Sequence, residues 1–152
     1  MKDVTKSKVN QYLEIKTRHQ KELDNFPMFF AFSDKQFEEG MKKFGLSSKD
    51  ANKIYSTSGG GFIKKTDSKK LKYLFAIHNL EMKEAIESDK TGEGFIFDMF
   101  DYELSNHEYC ITMSVEDTLY ALGLTIEEIN KNPALIKGLR LAERNQFDSE
   151  NY

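Results

Sequence analysis

The 152-residue chain is 39% apolar and 31% charged, carries a formal charge of -3, and has twelve Phe and seven Tyr but no Trp, a composition that excludes disorder over most of its length. A chain this long buries roughly two thirds of the surface its unfolded form exposes, so it needs no staples to fold. Its charge gives no overall attraction to a phosphate backbone and argues against direct nucleic-acid binding, which would need a local patch.

The single cysteine, Cys110, excludes an intramolecular disulfide, and the polar start MKDVTKSKVNQ lacks the apolar stretch of a secretory signal. No apolar run approaches the ~20 residues that cross a bilayer. The expectation is a cytosolic protein without membrane contact.

Segment 3–23 places Val9, Tyr12, Leu13 and Ile15 among many charges, which predicts a solvent-facing helix within an N-terminal region 1–24, ended by Asn25, Phe26 and Pro27. The aromatic run 28–32, MFFAF, fits a short buried strand or an extended lead-in to a helix, with the strand preferred. Ser33 and Gln36 form a capping pair for a helix with Phe37, Met41 and Phe44 on one face, and Gly45 supplies a left-handed end.

After a helical turn over 48–53, strands at 54–56 and 62–64 flank Gly59, Gly60 and Gly61 as a hairpin. Asp67 or Ser68 caps the longest helix, 69–87, which turns Leu71, Leu74, Phe75, His78, Met82, Ala85 and Ile86 inward. A loop spans 88–94, and the spacing of Phe95, Ile96, Met99, Phe100 and Leu104 then fits a helix over 95–105 better than strict alternation, although 95–97 could begin extended.

A short apolar segment, 110–113, precedes a helix capped by Ser114 with Asp117 and stopped at Gly123. Thr125 and Glu128 form a second capping box, and Asn132 with Pro133 opens a last helix with Leu135, Ile136, Leu139 and Ala142 inward, before a polar tail over 145–152. The implied fold is one α+β domain, residues 1–152, mainly helical with a small antiparallel hairpin or sheet. It has no repeat or linker.

Four features bear on chemistry. Glu103 and His107, four apart on a helix, present a carboxylate and an imidazole on one face, the weak half of a metal site; a capping role for His107 is the simpler reading. His107 and Cys110 could pair as base and nucleophile, but the apolar flanks of Cys110 favour an inert thiol, and His78 reads as a core histidine. Gly59, Gly60 and Gly61 beside Lys64 and Lys65 could hold a phosphate, although the P-loop spacing is absent. Finally, Glu93, Asp98, Asp101, Glu103, Glu108, Glu116 and Asp117 could form one acidic surface that imitates a phosphate track.

Four stretches, FFAFSDKQFEEG, YSTSGGGFIKKTD, FDMFDYELSNHEYCIT and DTLYALGLT, lie within 29–142 and together resemble a group of short proteins of unknown function associated with phages and mobile elements of low-GC and gut bacteria; ELSNHEY is the most distinctive part. The resemblance brings no catalytic residues with it. It implies a mobile-element setting, in which small acidic proteins act by binding a host machine, as anti-CRISPR proteins do with defence nucleases.

The expected function is therefore non-enzymatic and needs no cofactor or resident metal. An accessory or counter-defence protein would bind a host protein, such as a nucleic-acid-processing defence complex, through Asp98, Asp101, Tyr102, Glu103, Asn106, His107, Glu108 and Tyr109. One alternative is a nucleotide- or metal-binding enzyme built on the glycine turn and the Asn106, His107, Glu108 cluster. The other is a self-associating structural protein, seen as a homodimer.

Overall fold

A computed structural model describes residues 9–150. It is a mainly helical α+β fold with one small antiparallel sheet. The elements in chain order are α1 (Gln11–Asp24), β1 (Phe29–Phe30), α2 (Asp34–Lys43), β2 (Ile54–Ser56), β3 (Gly61–Lys64), α3 (Ser68–Ser88), α4 (Phe95–Asn106), α5 (Tyr109–Thr112), α6 (Glu116–Leu122), α7 (Ile126–Asn130) and α8 (Pro133–Glu150). Short 3-10 turns lie at Ser48–Lys53, Ser58–Gly60 and Lys65–Asp67.

The chain gathers into two compact units, one of Met1–Gln20 with Glu81–Tyr152 and the other of Lys21–Leu80, so the divisions fall inside α1 and α3. Each has its own apolar core. We refer to them as the helical unit and the sheet unit.

In the sheet unit, β3 is the middle strand and pairs antiparallel with both neighbours, in the order β1-β3-β2. The MFFAF run does supply a strand, though only its Phe29 and Phe30 pair, opposite Phe62 and Gly61. Alternation along the strand sends Phe29 inward, where it stacks on Phe62 at 5.2 Å and meets Phe44 edge-on at 5.1 Å. Met41 and Ile54 complete this core. The Ser33 cap forms with a variation: Ser33 Oγ accepts from Gln36 N–H, while Gln36 Oε1 reaches one residue further back than a capping box, to Phe32 N–H.

The helical unit is built on α4, whose Phe95, Ile96, Met99, Phe100 and Leu104 are all buried against Leu135, Leu139 and Ala142 of α8 and residues of α1, α6 and α7. The 88–94 loop is more ordered than its composition suggests. Asp89 accepts hydrogen bonds from the N–H groups of Gly92, Gly94 and Ile96 at 2.9, 3.1 and 2.9 Å. Partial burial raises the Asp89 carboxyl, but those donors outweigh it and hold the group below its ordinary range.

Two boundaries and one burial depart from expectation. Residues 145–150 continue α8 instead of forming a polar tail, because Asn145 and Gln146 hydrogen-bond Asp101 on α4 and Phe147 packs edge-on to Tyr109. Residues 110–112 fold as part of the helical turn α5, and Met113 is its left-handed C-cap. On α3, Leu71 and His78 are buried as expected, whereas Phe75 remains 44% exposed. The expected helix residues 3–8 and tail residues 151–152 lie outside the described residues.

Candidate functional site

The apolar period of α4 decides the fate of its acids. With Phe95, Met99 and Phe100 committed to the core, Asp98 and Glu103 are drawn inside with them and are only 3% and 2% exposed. A buried carboxylate requires donors. Asp98 finds them at the start of α1, where its Oδ2 accepts from Gln11 N–H at 2.9 Å and its carbonyl accepts from Asn10 Nδ2 at 3.2 Å.

Glu103 finds donors further along α1. Its Oε2 accepts from the Tyr12 hydroxyl and, at 2.7 Å, from Lys16 Nζ. Its Oε1 accepts from Asn106 Nδ2 at 3.4 Å, with His107 Nε2 3.6 Å away. The Lys16 ammonium also stands 5.2 Å over the Tyr102 ring. Burial pushes the Glu103 carboxyl up, but the hydrogen bonds and charge of Lys16 and the Tyr12 hydroxyl prevail and hold it below the usual carboxylate range. Tyr12 responds in the opposite sense: burial first, then the facing carboxylate, raise its hydroxyl well above an ordinary phenol.

The expected i,i+4 pairing of Glu103 with His107 is therefore present, but it belongs to a knitted internal cluster. Both Glu103 oxygens already have donors. His107 occupies the C-cap of α4 and its N–H bonds the Glu103 carbonyl at 2.9 Å. Among the described residues no group of three or more His, Cys, Asp or Glu side chains is placed to hold a metal ion.

Tyr109 is also interior. It donates to Glu143 Oε2 at 2.8 Å, and burial together with that carboxylate pushes its hydroxyl up to about 12. Of the eight residues expected to grip a partner, Asp98, Glu103 and Tyr109 are thus buried and cannot form a contact surface without unfolding their surroundings. Asp101, Tyr102 and His107 are half-buried, and Asn106 and Glu108 are exposed.

What does face solvent next to them is apolar. Ile111, Met113 and Tyr120 are 73%, 55% and 89% exposed, with Glu108, Glu116 and Asp117 exposed on the same stretch of chain. The short α5 is bracketed by two non-glycine residues in the left-handed region, Glu108 at φ 55° and Met113 at φ 60°. Such backbone costs free energy and persists only where surrounding contacts hold it, here through the buried Tyr109 between them. Sequence periodicity did not reveal this corner. A turn of helix is too short for a period to emerge, and Tyr120 next to the buried Leu119 reads as core by type alone.

In the sheet unit, the glycine turn closes the β2–β3 hairpin. Gly60 and Gly61 carbonyls accept from Ala31 and Thr57 N–H at 3.0 and 2.7 Å. Lys64 and Lys65 hold their ammonium groups 5.4 and 5.0 Å over the rings of Phe44 and Tyr55, respectively. Lys64 pairs with Ile54 at the open end of the hairpin, so both lysines lie at the other end of β3 from the glycine turn that spacing had set beside them.

Comparison with known proteins returns one family: a model described as a family of unknown function (DUF7659) matches residues 11–145. No curated protein and no solved structure matches the chain. No helix is long and apolar enough to cross a membrane among the described residues.

Proposed function

This chain belongs to the family of unknown function DUF7659, and from that premise we propose that it acts by binding another protein through the α5–α6 corner of its helical unit. The observation that carries the reading is the exposure of Ile111, Met113 and Tyr120 among Glu108, Glu116 and Asp117. Large apolar side chains left in water within an acidic surround have the make-up of an interface: anchors to fill a partner's pockets and a charged rim to steer it. The polar cluster nearby supports the same view, since the buried Glu103 and Tyr12 and the partly exposed Lys16 satisfy one another and leave Glu103 no part in a contact surface.

The partner's chemistry follows from the rim. A basic surface, such as the nucleic-acid track of a defence nuclease, complements these acids, and the resemblance to mobile-element proteins points to the same setting. The protein is then a counter-defence inhibitor that occupies its target without turnover.

The test is interference by a nuclease-based defence in cells expressing the protein, paired with affinity capture of the nuclease. Wild type relieves interference and retains the nuclease. Tyr120→Ala combined with Ile111→Ser abolishes both while leaving the circular dichroism spectrum unchanged. Retention of full activity by that variant would overturn the assignment of this surface. Dimerisation that the variant disrupts, with no nuclease bound, would instead establish the self-associating alternative.

A further inference from the structure

The sheet unit carries a feature that the acidic corner does not explain. Between Lys21 and Leu80 eleven lysines outnumber seven carboxylates, leaving +4, so the chain's total of -3 conceals -7 on the remainder. A unit of that sign attracts polyanions.

Its aromatic side chains are also divided between inside and outside. Phe29 is buried in the core with the partly buried Phe37 and Phe62 packed against it, whereas Phe30 and Phe32 are 58% and 77% exposed. Glycines seat these two rings. A Cβ on Gly60 would lie 2.5 Å from Phe32 Cε1, and one on Gly61 would lie 3.1 Å from Phe30 Cε1, so each ring rests close against the turn. Alongside runs a groove of about 440 Å³ walled by Phe30, Phe32, Gln36, Glu39 and Lys43. Lys65, exposed, sits over the Tyr55 ring of the same sheet.

We infer that this face of the sheet unit binds single-stranded nucleic acid, its bases stacking on Phe30 and Phe32 and its phosphates meeting Lys43 and Lys65. Exposed rings backed by glycine and bordered by lysine are the parts of a stacking platform. A duplex keeps its base faces covered, so only a single strand can use those rings. An acidic peptide would satisfy the lysines but leave Phe30 and Phe32 without stacking partners. Glu39 opposes phosphate within the groove and sets a limit on affinity. The inference is independent of the protein-binding surface, with which it shares no residue, and it reverses the expectation drawn from total charge.

Fluorescence anisotropy of the full chain with a labelled oligothymidylate about 12 nucleotides long tests it. The expected result is binding that prefers the single strand to a duplex of equal length and weakens as salt rises. Phe32→Ala weakens it about tenfold or more, with an unchanged melting temperature because the ring is exposed. Lys65→Gln reduces the salt slope by about 0.7, and Glu39→Gln tightens binding. Absence of binding at low salt, equal affinity for duplex with no effect of Phe32→Ala, or stronger adsorption to phosphatidylserine vesicles than to the oligonucleotide would each overturn it.

Discussion

Glu103 shows how a single residue changes role once its neighbours are known. On a helix drawn in isolation it projects with His107 as half of a metal site; in the fold it is the acceptor that allows Tyr12 to be buried and Lys16 to be anchored. Glu103→Gln removes the charge and one acceptor while keeping the shape. It should lower stability by about 1–2 kcal/mol, since the lysine end of the pair reaches solvent and is screened. The acid dependence has a definite sign. The folded carboxyl lies below its ordinary value, so the unfolded chain takes up the proton first; the contribution is complete above the unfolded pKa and is lost as pH falls through the lower folded one. Urea unfolding of wild type and variant from neutral pH downward checks this: the gap between them should narrow in acid. A gap that persists unchanged would show that charge is not what Glu103 contributes.

At the level of elements, α4 and the loop before it both approach α8 closely because two glycines leave room. Gly92, at φ 84°, lies where a Cβ would stand 2.1 Å from the Ala134 carbonyl oxygen, and a Cβ on Gly138 would meet Ile96 Cγ2 at 2.4 Å and the Gly92 carbonyl oxygen at 2.7 Å. Gly138→Ala gains helix propensity locally, by about 1 kcal/mol. The overpacking it causes between the helices costs about 1–3 kcal/mol, so thermal unfolding should show a net loss. Stabilisation instead would mean that the helices separate at little cost. Much at this scale was legible beforehand: the α4 period, the Thr125–Glu128 capping box and the hairpin around the glycines all follow from local spacing. The Asp89 turn was not, because one carboxylate serving three N–H groups is a property of the closed loop.

Over the whole molecule the two apolar cores are separate clusters, one around Phe100 and Leu104 and one around Phe29 and Met41. Met41 is fully buried, and Met41→Ala should cost about 2–5 kcal/mol. Hydrogen exchange should show that loss first within Lys21–Leu80, with protection of α4 and α8 less affected. Uniform loss of protection across both units would demonstrate a single cooperative block. The charge separation belongs to the same scale: a modest total hides a basic sheet unit, which sequence-wide bookkeeping averages away.

By itself the sequence determined the helical class, the small antiparallel sheet and most caps, since each depends on hydrogen bonds and apolar spacing within a few residues. Only the tertiary structure decided which acids and aromatics remain outside. Asp98, Glu103 and Tyr109 went inward because α1 and α8 supplied partners for their polar atoms, whereas Ile111, Tyr120, Phe30 and Phe32 stayed exposed because no described element covers them. Burial is set by what a distant segment brings to a side chain, and that information is absent from any local window of sequence.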